Sequence, residues 1–130
     1  MAKKHQLAAL QLAIMQILWE GGEATVAEVR EALQRDRPLA HTTVATMLTK
    51  MERKGYVTHR MKGRAKVFKP VIRRSQVKRS MVTDLARRLF GGDITEMVSH
   101  LLDGCQVSAE ELKRLQQLIR EKEKEGRRGT

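Results

Sequence analysis

The chain is organised around the segment from Leu39 to Lys69, which reads LAHTTVATMLTKMERKGYVTHRMKGRAKVFK. In its first part, apolar side chains recur at three- and four-residue steps, which predicts an amphipathic helix. These apolar residues are Val44, Met47, Leu48 and Met51. Threonines and basic residues occupy most other positions, so the helix has one face to bury and one polar face to present to a partner.

The second part of the segment predicts a basic β-hairpin. Gly55 can adopt the left-handed backbone at which many helices end, and two β-prone runs follow it, from Tyr56 to Met61 and from Lys66 to Val71. The tip between the runs contains Lys62, Gly63 and Arg64. A hydroxyl-rich helix followed by such a hairpin is the arrangement of a recognition helix and a wing.

The composition favours a polyanionic partner. The 130 residues include 26 Lys or Arg against 15 Asp or Glu, which gives a formal net charge of +11. From Lys50 to Lys69 there are eight Lys or Arg, and Glu52 is the single acid. Nucleic acid and an anionic membrane surface are the two candidate partners. A solvated face without a partner is the alternative when charge alone is considered.

Catalytic and metal-binding sites find little support in the sequence. The four histidines are scattered, no serine lies in a nucleophile elbow, and one cysteine, Cys105, excludes an intramolecular disulfide and a cysteine-only metal site. Aromatic residues, at 3%, are too few for a surface that stacks single-stranded bases. No run approaches the roughly 18 apolar residues of a membrane span, and a signal-peptide cleavage pattern is missing. We expect a cytoplasmic, non-enzymatic protein without cofactor, metal or membrane insertion.

Two helices are predicted before the central segment. The first spans about residues 7–20, with Trp19 as a core side chain against the hairpin. The second begins at Thr25, which with Glu28 forms a capping box, because each side chain can accept a hydrogen bond from the other's backbone N–H. The third helix, in the central segment, lacks a good capping residue at its expected start, Ala40.

From residue 72 on, the pattern is that of a helical arm. A helix over about residues 75–90 precedes two more, for which Asp93 and Ser108 are candidate N-caps. About fifty residues are too few to bury so many leucines and methionines against one another, so a second copy of the chain is the predicted partner. The alternative is that the arm folds back on the N-terminal domain. The predicted dimer-interface residues are Val77, Met81, Leu85, Leu89, Met97, Leu101, Leu112, Leu115 and Ile119.

These patterns together predict a mainly α fold with two parts. Residues 1–71 form a winged helix-turn-helix DNA-binding domain of three helices and a β-hairpin wing. Residues 72–126 form a helical dimerisation domain, and residues 127–130 a disordered tail.

The predicted ligand of the first domain is double-stranded DNA. A helix fits the major groove, where threonine offers a hydroxyl or a methyl group to a base edge. The residues predicted to read bases are Thr43, Thr46 and Lys50. The residues predicted to contact the DNA backbone are His41, Thr42, Thr49 and Arg53 of the helix and Arg60, Lys62, Arg64 and Lys66 of the wing.

Several stretches of the sequence carry a family resemblance. AIMQILWE closes the first helix, LAHTTVATMLTKMERKGYVTHR covers the third helix and the wing, and KVFKPV forms the return strand. LARRLFGG and SAEELKRLQQLI follow in the arm. With these motifs, the chain resembles the penicillinase and methicillin-resistance repressor family over nearly its full length.

The resemblance implies a homodimeric transcriptional repressor that binds a palindromic operator upstream of β-lactamase or related resistance genes. It also implies release when a membrane-bound, zinc-dependent sensor protease signals and the arm is cut. Well-studied members are cut at an Asn-Phe bond, and the matching residues here, the candidate cleavage site, are Ser99 and His100. The copper-responsive branch of the family carries paired cysteines, which the lone Cys105 does not supply.

Two other classes of protein are compatible with the charge. An architectural protein would coat DNA without sequence preference, and a membrane-surface protein would place basic helices on anionic lipid. The polar outer face of the third helix speaks against the membrane surface. Competition between a palindromic and a random duplex distinguishes the repressor from the architectural protein.

Overall fold

A computed structural model of the chain describes residues 7–128. Within this range, six helices and three short strands follow one another. In chain order they are α1 (Ala9–Gly21), β1 (Ala24–Thr25), α2 (Val26–Leu33), α3 (His41–Arg53), β2 (Val57–Lys62), β3 (Ala65–Pro70), α4 (Arg74–Phe90), α5 (Ile94–Gly104) and α6 (Ala109–Arg128). The predicted mainly α fold, with three helices and a β-hairpin before a helical arm, is confirmed.

The N-terminal unit has an apolar core to which all of its helices contribute. The apolar face predicted for α3 is confirmed, because Val44, Leu48 and Met51 are 0% exposed. The same cluster includes residues of α1, α2 and the hairpin, namely Ile14, Met15, Leu18, Val29, Leu33, Val57 and Phe68. Since its apolar face is buried in this cluster, α3 holds its other face outward in one orientation.

The contacts within the chain define two units, and the boundary between them lies inside α4. The first unit ends at Asp84 and the second begins at Leu85. The sequence places the boundary earlier, between residues 71 and 72. The first part of α4 belongs to the N-terminal unit because Val77 is only 2% exposed and lies in that unit's core.

The wing is part of a three-stranded antiparallel sheet with the order β1-β3-β2. β2 and β3 pair along their full length, and Gly63 at the tip has a φ of +64°. A positive φ at the first position of a two-residue turn matches the twist of a hairpin and favours glycine there. The sequence does not predict β1, because two residues are too few to show alternation; they pair with Val67 and Phe68.

The starts of α2 and α3 agree with the sequence. The Thr25 hydroxyl accepts a hydrogen bond from the Glu28 N–H at 3.2 Å, and the Glu28 carboxylate accepts one from the Thr25 N–H at 3.0 Å. The predicted capping box is therefore confirmed. At α3 the N-cap is Ala40, the expected start, and Thr42 and Thr43 lie inside the helix.

Trp19 ties the end of α1 to the chain between the hairpin and α4. Its indole Nε1 donates a hydrogen bond to the carbonyl oxygen of Ile72 at 2.9 Å. The Arg74 guanidinium lies 5.5 Å from the centre of the indole ring. The ring is partly buried against the core, which confirms the predicted core packing, but its hydrogen bond is to the segment that follows the hairpin. Its polar N–H thereby has the acceptor that a shielded indole needs.

The candidate N-caps of the last two helices are confirmed. Asp93 Oδ1 accepts a hydrogen bond from the Glu96 N–H at 3.0 Å, at the start of α5. Ser108 Oγ accepts one from the Glu111 N–H at 3.1 Å, at the start of α6.

The last helix extends beyond its predicted end. α6 continues to Arg128, although the sequence predicts a disordered tail over residues 127–130. Basic side chains near a helix C-terminus interact favourably with the helix dipole, and Lys122 and Glu125 form an ion pair of 3.3 Å near this end. Residues 129 and 130 lie outside the described residues.

The capping box makes a pH-dependent contribution to stability. The pKa of Glu28 is lowered by its hydrogen bonds with the backbone and the side chain of Thr25. A carboxylate whose pKa is lowered on folding stabilises the protein above its ordinary pKa of 4.5, and this contribution is lost as the pH falls through the folded-state pKa.

We therefore expect Glu28→Gln to lower the free energy of unfolding at neutral pH, with a difference from the wild type that shrinks in acid. Denaturant unfolding followed by circular dichroism between about pH 7 and pH 3 measures this difference. Glu31→Gln, on the same helix, is the matched control and should leave the pH profile unchanged. A Glu28→Gln difference that is constant across this range would contradict the role of the carboxylate.

Candidate nucleic-acid interface

The outer face of α3 presents the side chains predicted to read bases. Thr43, Thr46 and Lys50 are all exposed. Within residues 7–128, none of their side chains is engaged in a hydrogen bond or an ion pair. With Thr42 and Met47 they line one shallow depression. The structure thus brings the three predicted residues together on one exposed surface.

The N-terminal end of α3 also suits an anion. Among the described residues, no side chain caps this end of the helix. Free N–H groups at a helix N-terminus carry partial positive charge and favour a phosphate. His41 and Thr42 are exposed at this end, which fits the backbone contacts predicted for both.

Thr49 differs from the other threonines of α3. Its hydroxyl donates a hydrogen bond to the Ala45 carbonyl oxygen at 2.9 Å, one turn back in the same helix. A phosphate oxygen only accepts hydrogen bonds, so a hydrogen bond from this hydroxyl to a phosphate would require the bond to Ala45 to break. We therefore leave Thr49 out of the interface proposed below. Arg53, in the last turn, is exposed.

The hairpin has two faces, and its basic residues are divided between them. Successive residues of a strand point to opposite faces. His59 is on the face that packs towards α3, because its Nδ1 lies 2.7 Å from Oε2 of Glu52 in α3. Its ring lies against that of Phe68, with centroids 5.4 Å apart. Lys66 shares that face, because it pairs with Met61, two residues from His59.

Arg60 and Lys62 lie on the opposite face, near acidic side chains. Arg60 Nη2 is 2.7 Å from the Glu23 carboxylate. The pKa of Glu28 is lowered first by its hydrogen bonds with Thr25 and further by the charge of Lys62. Part of the charge of Arg60 is therefore balanced within the chain, which weakens the prediction that Arg60 contacts DNA.

Arg64 and Lys66 are two wing cations that stay available to a partner. Arg64 follows Gly63 at the tip, and Lys66 lies on the α3 side of the hairpin. Both are exposed, and within the described part of the chain neither forms an ion pair. Cations at this position can reach phosphates beside the groove that flanks a recognition helix.

Sequence reasoning missed a contact between α3 and the wing. In the sequence, Glu52 is the single acid of a basic stretch, and His59 is one of four scattered histidines. In the structure His59 Nδ1 lies 2.7 Å from Glu52 Oε2. The seven-residue spacing across a helix end and a turn gives no local pattern that would predict such a contact.

The predicted dimer-interface residues fall into two groups. Val77 is buried in the core of the N-terminal unit, and Met81 is partly buried against that core. Because a side chain that is 2% exposed offers little surface to another molecule, Val77 is removed from the proposed interface. The remaining residues lie in the C-terminal unit and are exposed or partly exposed, namely Leu85, Leu89, Met97, Leu101, Leu112, Leu115 and Ile119.

The candidate cleavage site lies within a helix. Ser99 and His100 are exposed residues of α5. His100 Nε2 is 3.9 Å from the Glu96 carboxylate, and the His100 ring lies against that of Phe90. Cys105 is exposed just after α5. Over residues 7–128, no three His, Cys, Asp or Glu side chains cluster to hold a metal, and no helix has the length and apolar character to cross a bilayer.

Comparisons relate the chain to known proteins. The sequence model of the family described as penicillinase repressor matches residues 7–121. The penicillinase repressor of Bacillus licheniformis is 28% identical over 121 residues, 93% of this chain and 94% of that protein. The transcriptional regulator BlaI of Mycobacterium tuberculosis is 34% identical over 125 residues, 95% of this chain and 89% of that protein.

A solved structure supports the fold of the N-terminal unit. The solution structure of the DNA-binding domain of the repressor BlaI matches with a TM-score of 0.51 and 29% identity. The match covers 58% of this chain and 93% of that structure. The predicted winged-helix fold class is thereby confirmed.

The division of the wing cations leads to a prediction about salt dependence. Each phosphate contact contributes about 0.9 to the slope of log affinity against log salt concentration. We expect Lys66→Ala to reduce this slope by about 0.9 for each protomer bound, and Arg60→Ala, its matched control, to reduce it much less. Fluorescence anisotropy on a duplex from the protein's own upstream region measures both slopes. Equal reductions in the two variants would contradict the division.

Proposed function

Because the chain belongs to the penicillinase repressor family, whose members are transcriptional repressors and not enzymes, we propose that it binds a palindromic operator as a homodimer. Occupation of the operator blocks transcription from the promoter that contains it. The protein makes and breaks no bond in this process. We propose that it acts in the cytoplasm, where promoter DNA is found.

The observation that carries this proposal is the pairing of a buried and an exposed face on α3. Val44, Leu48 and Met51 anchor the helix in the core, while Thr43, Thr46 and Lys50 are exposed and unengaged within the described residues. Short side chains let a helix backbone approach the floor of the major groove. A fixed helix with this surface can read bases without first rearranging.

The DNA backbone contacts are assigned to groups at the edges of this surface. His41 and Thr42 lie at the N-terminus of α3, and Arg53 lies near its C-terminus. Arg64 and Lys66 extend the basic surface onto the wing. These contacts set the register of α3 on the duplex and supply the salt-dependent part of the affinity.

Support for the homodimer comes from the apolar surface of the C-terminal unit. Its apolar residues include several that are between 37% and 67% exposed: Leu85, Leu89, Ile94, Val98, Leu101, Leu102, Leu112, Leu118 and Ile119. A monomeric soluble protein rarely exposes so much apolar surface in one region. A second copy of the arm would cover it, and two-fold symmetry would place two recognition helices on the two halves of a palindrome.

The regulated genes are proposed from the names of the relatives. Since the Bacillus licheniformis relative is a penicillinase repressor, we propose β-lactamase or related resistance genes as targets. Release by a membrane sensor protease is a further proposal from the family. It would require local unfolding of α5, because Ser99 and His100 are helical and a protease binds an extended strand.

Base readout by α3 predicts a selective loss of affinity. Lys50→Ala and Thr46→Val should each weaken operator binding by about 1–3 kcal/mol, because each removes one base contact. Thr49→Val is the matched control and should change affinity little, since that hydroxyl donates to the Ala45 carbonyl oxygen. Anisotropy with the operator and with a random duplex measures the losses, and thermal unfolding checks that each variant is folded.

Two results would contradict the proposal that the outer face of α3 reads the bases of an operator. Unchanged binding in both Lys50→Ala and Thr46→Val would remove the assignment of the outer face of α3. Discrimination between operator and random duplex of much less than about 10³ would instead support an architectural protein that coats DNA.

If the helical arm forms the dimer interface, replacing its exposed apolar residues by charged ones should disrupt the dimer. The double variant Leu101→Lys, Ile119→Lys introduces charge at two sites that are 51% and 55% exposed. We expect it to sediment as a monomer and to lose most of its operator affinity, because one half-site alone then binds. Val71→Lys, at a site 56% exposed in the N-terminal unit, is the matched control. A wild-type chain that sediments as a monomer at micromolar concentration would contradict the homodimer.

A further inference from the structure

Glu52 of α3 and His59 of β2 join the recognition helix to the wing. His59 Nδ1 lies 2.7 Å from Oε2 and 2.8 Å from Oε1 of Glu52. Because carboxylate oxygens only accept hydrogen bonds, His59 Nδ1 is the donor, and its N–H group donates a hydrogen bond to the Glu52 carboxylate. The His59 and Glu52 side chains are 28% and 29% exposed, so the bond is partly shielded from water.

The imidazole continues this link into the core. The rings of His59 and Phe68 are 5.4 Å apart and inclined by 46°. Phe68 pairs with His59 across the strands and is only 2% exposed. Contacts therefore run without a break from the α3 carboxylate through the imidazole to a buried ring of the return strand.

The same face of the hairpin carries a free wing cation. Met61 and Lys66 form the cross-strand pair that follows His59 and Phe68 on this face, towards the tip. Arg64 lies at the tip itself, beyond Lys66. A change in the tilt of the hairpin at His59 would move both cations together relative to α3.

Charge alone predicts the opposite role for Glu52. It is the single acid among eight Lys or Arg from Lys50 to Lys69, on a helix that approaches a polyanion. A carboxylate at such a position repels phosphates, so its removal should tighten binding if charge were its only effect. The geometry gives it a second effect of opposite sign.

We propose that Glu52 and His59 are positioning residues that set the angle between α3 and the wing. With the bond in place, Arg64 and Lys66 reach phosphates beside the minor groove while α3 lies in the adjacent major groove. Without it the hairpin tilts, and the wing contacts are lost although α3 still binds. This inference rests on the proposed function, since it describes how one DNA-binding surface is kept in register.

The test uses two variants that remove the same charge. Glu52→Gln keeps an oxygen that accepts the hydrogen bond from His59 Nδ1, whereas Glu52→Ala removes it. We expect Glu52→Ala to bind operator at least about tenfold more weakly, with a salt slope reduced by up to about 1.8 for each protomer as two phosphate contacts are lost. Glu52→Gln should keep the wild-type slope. Both are measured in the full-length chain by anisotropy over a range of salt concentrations.

Further variants separate positioning from folding. His59→Asn supplies an amide N–H near the place of Nδ1 and should restore the slope that His59→Ala loses. In the Glu52→Ala background, adding Lys66→Ala should cause no further loss, because that cation no longer reaches DNA. Glu23→Ala, which removes an acid on the opposite face of the wing, is the control and should not reduce the slope. If Glu52→Ala does not fold, His59→Ala and His59→Asn decide the question.

The outcomes distinguish this inference from the proposed function. A wild-type chain that does not discriminate operator from random duplex overturns the proposed function. If the wild-type chain discriminates operator from random duplex, but Glu52→Ala and Glu52→Gln both bind more tightly with an unchanged salt slope, only the positioning role is overturned. A loss of thermal stability in Glu52→Ala with wild-type affinity and slope also overturns it, because the bond would then be purely structural.

Discussion

Burial of one face of α3 is the constraint on which the rest of the structure depends. Val44, Leu48 and Met51 are 0% exposed, and full burial of a side chain of this kind contributes about 1.5–3 kcal/mol. Turning the helix by about 100°, the angle of one residue, would bring threonine hydroxyls into an apolar core without partners. The helix therefore has one stable orientation, and the threonines and Lys50 face outward as a consequence of packing.

The basic residues of the wing differ in whether an acidic side chain of the same chain lies near them. On the outer face of the hairpin, Arg60 meets Glu23 directly, and Lys62 lies near enough to Glu28 to contribute to the lowering of its pKa. Exposed pairs of this kind contribute little to stability, but they reduce the charge offered to a partner on that side. Arg64 and Lys66 form no ion pair within residues 7–128, so their charge stays available to a partner. The charge of Arg60 is thus partly neutralised within the chain, whereas Lys66 lies exposed on the side of the hairpin that faces α3.

Features that depend on local periodicity could be predicted from the sequence. Features that depend on contacts between residues distant in the sequence could not. The α3 stripe, the Thr25 capping box and the hairpin are local patterns, and all three are present. By contrast, α4 shows one apolar pattern, but Val77 is buried in the N-terminal core while Leu85 and Leu89 are exposed. The Glu52 and His59 contact exists only because β2 packs against α3. The hydrogen bond of the Thr49 hydroxyl to the Ala45 carbonyl oxygen is local, but it depends on a side-chain rotamer that periodicity does not predict.

The central claim is that the threonine face of α3 reads DNA as part of a symmetric pair. Threonine methyl groups report on this directly, because the chain has threonines both inside and outside the proposed surface. In NMR spectra of the full-length chain titrated with a duplex from its own promoter, the methyl signals of Thr43 and Thr46 should shift and saturate at two chains per palindrome, while those of Thr25 and Thr95 should stay in place. Shifts at Thr95 with none at Thr43 and Thr46 would contradict the account.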